Sequence, residues 1–362
     1  MANIFKSDKL FYLLFFLPLT GSAFLGYAIS VLFFVIYFLS RNKKEVTQFG
    51  ILAFVLYVFL VIAKLIQTGN PNVVSVITRF YLGIGPILFY VYYSKVKVNI
   101  NFIILLLSIE VLIEAFLINF VISPTLLPNY PTEIKLGGFD STEVMGYQRP
   151  YSIGINATVT ATILCMLLAY REAQCKAGAA RDFKLDIIST LAILALASGT
   201  GILLFAIYIF YRFSGAINLK NISILILLVL IILRVVNSEL LGDSLISHFS
   251  TEYFQFMIDY KEELYSEYLS SFNNKFLGVD FHNMPPLTHG DTALVEFLLS
   301  FGLFGIIYFF LLVSHYFNKI NWCPLLIGLI GAFHYGGIFS LPGQMLMAYV
   351  MVLNIKSRSY LL

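Results

Sequence analysis

Residues 276–308 read FLGVDFHNMPPLTHGDTALVEFLLSFGLFGIIY. A polar segment holding Asp280, His282, His289 and Asp291 turns directly into a run that is apolar for about twenty residues, enough for one membrane crossing. Glu296 sits inside that run, about a turn and a half past its start. Titratable groups at the mouth of a membrane helix are costly, because hydrocarbon cannot solvate them. Their presence points to binding or chemistry.

The rest of the chain shares this character. Of 362 residues, 59% are hydrophobic and 12% charged, against roughly 25% charged in soluble chains. With many long apolar runs, this composition predicts an all-α integral membrane protein in one polytopic domain, residues 1–362. The net charge of +3 means little as a total, and no nucleic-acid partner is expected. Cys165, Cys175 and Cys323 fall within or on the cytoplasmic side of the expected topology, so no disulfide framework is implied. Gly21-Ser22-Ala23 after an apolar run suggests a secretory cleavage site, but apolar character continues to Leu39. An uncleaved first hairpin is expected.

Apolar runs at about 10–20, 22–40, 50–66, 73–93, 100–122, 153–170, 186–197, 200–213, 222–236, 292–314, 324–340 and 343–356 predict about twelve spans, within a range of ten to twelve. Two tight pairs are broken at Pro18 and Gly21 and at Ser198-Gly199-Thr200-Gly201, and each is read as two short crossings. With the N-terminus inside, 16 of the 23 basic residues lie on the inner side, among them Arg171, Lys176, Arg181, Lys184 and Arg212. That bias favours both termini inside and an even span count.

Two outer loops stand out. Residues 123–152 carry Pro124, Pro128, Pro131 and Gly137-Gly138, and end in Tyr147-Gln-Arg-Pro-Tyr151. Residues 237–291 hold nine acids against Lys261 and Lys275. Ser250 or Thr251 can cap a helix there, and Phe254, Ile258, Tyr265 and Leu269 recur at helical spacing, as in an interfacial helix.

Outer cations are scarce, which makes each conspicuous. Arg149, beside the rigid Pro150, is placed to clamp a phosphate through its planar fork; the alternative is a snorkelling interfacial arginine. Arg234 ends an apolar run, and Arg79 lies in the outer half of its span, where an ion pair with Glu110 or Glu114 is the competing reading. His289 can act as a general base oriented by Asp291, unless Asp291 or Thr292 merely caps the next helix. His282 is a weaker candidate. The sequence has no GxxxxGK[ST] loop, no ligand-spaced Cys/His site and no DxD carboxylate pair. Neither a cofactor nor a metal is expected.

Arg149-Pro-Tyr-Ser-Ile-Gly-Ile-Asn156, Ala197-Ser-Gly-Thr-Gly201, Gly278-Val-Asp280, His289-Gly-Asp291 and Glu296-Phe-Leu-Leu-Ser-Phe-Gly-Leu-Phe-Gly305 together resemble the O-antigen polymerase and O-antigen ligase superfamily of bacterial envelope glycosyltransferases. Gly199 departs from the family pattern, standing where many relatives carry an arginine.

The resemblance implies a GT-C-like polytopic bundle in the bacterial inner membrane, with a large, partly helical extracytoplasmic loop and a site on the periplasmic side. It implies metal-independent transfer of a growing glycan from undecaprenyl diphosphate to a repeat unit on the same carrier. Membrane lipid is a further partner, and a chain-length regulator is left open. The expected site residues are His289 and Asp291 for proton transfer, and Arg149, Arg234 and Arg79 for the diphosphate. Tyr253, Tyr260, Tyr265, Tyr268 and Glu296 are expected to contact glycan. An O-antigen ligase is the alternative within the family. A multi-span transporter or flippase of lipid-linked sugars is the rival from another class. Against the rival, Glu110 is the one charge clearly near a span's centre and no internal repeat is visible.

Overall fold

The computed structural model describes residues 8–20, 48–94, 96–126, 135–136, 139–140, 143–144, 147–154, 156–214, 275–279, 293–316 and 322–359, with single residues at 32, 259, 262, 263, 266 and 270. Along the chain run α1 (Asp8–Phe16), α2 (Gln48–Thr68), α3 (Pro71–Ile77), α4 (Ile84–Ser94), α5 (Ile100–Phe120), α6 (Ala157–Lys176), α7 (Phe183–Ala195), α8 (Gly199–Ser214), α9 (Ala293–Tyr316), α10 (Trp322–Ala332) and α11 (Leu341–Ser359). They fall into two units, Met1–Ile100 with Tyr268–Leu362, and Asn101–Glu267.

In the first unit α11 packs along α4, and α9 packs against α2. Pro18 lacks an N–H, and α1 passes into a 3-10 turn over Leu17–Thr20, next to the break expected at Pro18 and Gly21. Asn70 caps α3, its Oδ1 accepting from the amides of Asn72 (3.1 Å) and Val73 (3.3 Å), with Pro71 at the first helical position. The run expected over 73–93 is not one helix: a π turn at Thr78–Leu82 separates α3 from α4. Aromatic rings fill the core. Tyr81 lies 5.1 Å from Phe339 and 5.9 Å from Phe297, and Phe297 lies 5.6 Å from Phe339.

α9 also departs from expectation. The apolar run is broken at Gly302, whose φ of 54° and ψ of −149° belong to no helix. Residues 275–279 occupy the break. Leu303 N–H donates to the Lys275 carbonyl (3.0 Å), Phe304 N–H to Phe276 (3.1 Å), and Val279 N–H to Leu299 (2.8 Å). A Cβ at Gly302 would fall within 2.8 Å of this inserted backbone, and Gly278 is likewise at positive φ, +80°. The break exists because both chains can approach so closely.

In the second unit α6 is buried along nearly its whole length, from Ala157 to Ala173, and packs along α8. Its buried threonines are satisfied locally: Thr160 Oγ1 donates to the Tyr151 carbonyl (2.8 Å), Thr162 Oγ1 to Thr158 (2.8 Å), and Thr158 shares a hydrogen bond with Ser198 Oγ (2.8 Å). At the other end, Asp186 of α7 accepts from Arg171 of α6 and from Arg212 of α8 (2.9 Å), while Arg181 pairs with Glu172 (2.6 Å). Within residues 123–152, Lys135–Leu136 pairs antiparallel with Phe139–Asp140, and Glu143–Val144 with Tyr147–Gln148. The all-α expectation is corrected to this extent.

Among the described residues, two helices, Ile100–Phe120 and Ala293–Leu312, are long and apolar enough to cross a membrane; the second carries the break. Val55–Thr68, Gly199–Phe213, Trp322–Ala332 and Leu341–Val352 are shorter apolar helices. The expected short pair at 186–213 is two helices, α7 and α8. The runs at 22–40 and 222–236 lie outside the described residues except for Leu32. In the expected interfacial helix, Asp259, Glu262, Glu263, Ser266 and Ser270 are helical and exposed, while Phe254, Ile258, Tyr265 and Leu269 lie outside the described residues.

Two outcomes follow. Asp186→Ala leaves the Arg171 and Arg212 guanidiniums without their shared carboxylate and should cost about 3–5 kcal/mol, whereas Arg181→Ala, which removes the half-exposed partner of the buried Glu172, should cost less, about 1–3 kcal/mol. Gly302→Ala should lose at least about 1–3 kcal/mol from backbone strain alone. Thermal unfolding of the purified protein in detergent measures both.

Candidate functional site

The second unit builds a cradle around Arg149. On α5, the polar side chains of Glu110, Glu114 and Asn119 interrupt a mostly apolar helix. Asn119 pairs with Gln148 as a neighbouring strand would, its Oδ1 accepting from Gln148 N–H (2.8 Å) and its Nδ2 donating to the Gln148 carbonyl (2.9 Å). Glu114 takes the backbone N–H of Tyr151 on Oε1 and that of Ser152 on Oε2, both at 2.9 Å. Glu110 accepts from the Ser152 hydroxyl. Ser152 has a positive φ of 52° that this grip stabilises. Arg149 and Pro150 therefore lie between two points fastened to one helix.

The other wall is the turn between α7 and α8. Tyr147 Oη–H donates to the Ala195 carbonyl (2.7 Å) and Arg149 Nε–H to the Leu196 carbonyl (3.3 Å). These carbonyls end α7, where the helix dipole is negative, so the two donors neutralise a face that would repel an anion. Burial raises the Tyr147 phenol pKa above its ordinary value, and the charge of Glu114 adds to this, while the Arg149 charge opposes it. Ala197, at φ 46°, and Ser198 then lead into α8, where Ser198 Oγ accepts from Gly201 N–H (3.1 Å). Arg149 thus meets Leu196, just before the Ala197–Gly201 stretch, and Ser198 within that stretch meets Thr158, two residues past Asn156. Asn156 closes the first of them by capping α6, accepting from Thr158 (2.8 Å) and Val159 (3.3 Å).

The first unit holds Arg79 and Glu296. Arg79 lies on the π turn, half-buried, its Nε donating to the Ser75 carbonyl (2.8 Å). A π turn releases backbone carbonyls from the regular ladder. Here the fully buried Gln344 amide reaches those of Phe80 (2.6 Å) and Arg79 (3.2 Å), as well as that of Phe339 (2.8 Å). Glu296, expected to touch glycan, is 1% exposed, and its Oε2 accepts from Tyr81 Oη–H at 2.6 Å. Arg79 and Glu296 are thereby linked through the same turn. Glu110 and Glu114, considered as partners for Arg79, are engaged by Ser152 and Tyr151.

His289, Asp291, His282, Arg234, Tyr253, Tyr260, Tyr265 and Tyr268 lie outside the described residues. Their flanks do not: Val279 and Ala293, on either side of the His289 stretch, are both placed. Among the described residues no three His, Cys, Asp or Glu side chains gather as metal ligands. Sequence reasoning missed the clamp of Glu114 and Asn119 on residues 148–152, the Tyr81–Glu296 bond and the role of Gln344. Polar residues inside apolar helices were the available signal. No family model, curated protein or solved structure matches the chain.

The cradle predicts that Glu114→Gln, which puts an amide N–H against a backbone N–H, lowers stability by about 1.5–3 kcal/mol. Phe116→Ala, on the exposed side of the same helix, should change it far less. Paired melting curves test the contrast.

Proposed function

We propose that this chain is a multi-span bacterial inner-membrane glycosyltransferase of the O-antigen polymerase type. In this reading it moves a growing glycan from undecaprenyl diphosphate to a lipid-linked repeat unit at the periplasmic face. The observation that carries the reading is the fastening of Arg149 between α5 and the α7–α8 turn, next to the Ala197–Gly201 stretch. A guanidinium whose Nε is committed to a backbone carbonyl has a fixed plane, and bidentate phosphate binding needs a fixed plane.

The chemistry is a displacement at the anomeric carbon. The acceptor hydroxyl oxygen forms the new glycosidic bond, the bond from that carbon to the diphosphate oxygen breaks, and the carrier diphosphate leaves. Arg149, with Arg234 and Arg79, stabilises the charge that develops on it. The hydroxyl proton passes to His289, oriented by Asp291. Tyr253, Tyr260, Tyr265 and Tyr268 offer faces for sugar rings. Glu296, by contrast, acts through Tyr81 as part of the frame.

One observation favours the rival. Interrupted membrane helices and buried charges are features of transporters, and α9 is interrupted beside the buried Lys64. A deletion strain separates the readings: a polymerase mutant caps its lipid with one repeat, a ligase mutant leaves the core bare, and a flippase mutant traps units inside.

On the polymerase reading, Arg149→Ala should cut chain extension about 100- to 1,000-fold, the usual effect of removing one group that stabilises developing charge. His289→Ala should cut it about 100-fold or more. Gel analysis of surface polysaccharide at matched expression measures both. Wild-type chain length from either variant removes that residue from the site.

A further inference from the structure

Three helix ends meet in the second unit, and their charges do not balance. The ends of α6 and α8, the start of α7 and the α6–α7 connection carry five cations, Arg171, Lys176, Arg181, Lys184 and Arg212. Against them stand three acids, Glu172, Asp182 and Asp186, and each is already committed. Glu172 takes Arg181 (2.6 Å), and the Asp182 carboxylate caps α7 through the amides of Lys184 (3.0 Å) and Leu185 (3.2 Å). Asp186 serves both Arg171 and Arg212, one negative charge for two positive ones.

The other cations add to the surplus. Lys176 donates to the Tyr211 carbonyl and lies 3.7 Å over the centre of that ring, beside Arg212. The exposed Lys184 makes no ion pair with any described residue. Among the described residues, the buried Nε–H groups of Arg171 and Arg212 find no acceptor. Donors left so are costly. The cluster is short of both acceptors and negative charge, and an added anion would supply the charge.

The neighbouring surface indicates which kind of anion. Phe183, Ile187, Leu191 and Leu194 recur at intervals of four, four and three along α7, and all four are exposed. They form one apolar stripe. At its head lie Lys184 on one flank and, on the other, Asp186 with its two arginines. Phe213, next to Arg212, is exposed as well. A water-soluble anion would leave the stripe bare, and a neutral lipid would leave the charge unbalanced. A phosphate joined to hydrocarbon chains matches both.

We propose that the joined ends of α6, α7 and α8 bind an acidic phospholipid, its phosphate among the cations and its chains along the α7 stripe. Such a site requires a bilayer but not glycan transfer, so its test is separate from the transfer reading. The full-length protein is melted in detergent with phosphatidylglycerol, phosphatidylcholine or inorganic phosphate at equal concentration. Phosphatidylglycerol should raise the Tm by about 2–4 °C near saturation, and the other two by much less.

Lys176→Gln/Lys184→Gln removes two exposed cations of the cluster. It should weaken phosphatidylglycerol binding about thirtyfold, at roughly fivefold per cation near a lipid surface. Lys9→Gln/Lys97→Gln removes the same charge from exposed positions of the first unit and should leave binding nearly unchanged. Native mass spectrometry across a lipid titration reads both. No shift with phosphatidylglycerol overturns the proposal. An equal shift with phosphatidylcholine does so too, since chains alone would then suffice, and an equal shift with inorganic phosphate replaces it with a free-anion site. Equal losses in the two double variants also overturn it, because diffuse surface charge would then account for the binding.

Discussion

Backbone N–H and C=O groups in apolar surroundings must find partners within the protein, and each departure from a regular helix here is arranged around that demand. Where α9 stops being a helix, residues 275–279 supply the missing donors and acceptors. Where the chain takes a π turn, Gln344 reaches the released carbonyls. Where residues 148–152 leave the β-hairpin, Asn119 and Glu114 take over as partners. In each case side chains or a second stretch of backbone do the work that water does at a soluble protein's surface. The polar residues of the apolar helices are spent mostly on the main chain.

This explains why the cradle around Arg149 is rigid without being large. Asn119 lies five residues beyond Glu114, so α5 holds Gln148 and Ser152 at two points along its length. Opposite, the end of α7 offers carbonyls that Tyr147 and Arg149 occupy. A long flexible cation becomes a fixed one, and the negative end of α7 is masked. At the other end of the same helices Asp186 joins α6 to α7 and α8, keeping the turn at Ala197 in register with the start of α6.

The described helices were legible in the sequence, because apolar runs are local signals. The short pair α7 and α8 was legible too, from Ser198-Gly199-Thr200-Gly201. The break at Gly302 was not, since Phe301-Gly302-Leu303 reads as an ordinary apolar run and glycine is common in membrane helices. What makes it a break is Gly278, twenty-four residues earlier, and no local pattern links the two. Glu114 was read as a partner for a cation because carboxylates usually pair with charges, but consecutive backbone N–H groups satisfy it equally well. Nothing local marks Lys64, since its partner is a carbonyl more than two hundred positions away.

The interruption of α9 also changes the length of helix on offer to a bilayer. Insertion machinery that senses hydrophobicity alone meets residues 293–312 as one continuous segment, since nothing in Ala293–Leu312 itself warns of a discontinuity. The half-helix Ala293–Phe301 is about 14 Å long, far short of the roughly 30 Å hydrocarbon layer. Residues 275–279 precede α9 and emerge from the ribosome first, yet they have nothing to dock into until α9 opens. Read as a continuous helix, Ala293–Leu312 is long enough to cross a bilayer, and residues 275–279 are what divide it into two shorter pieces.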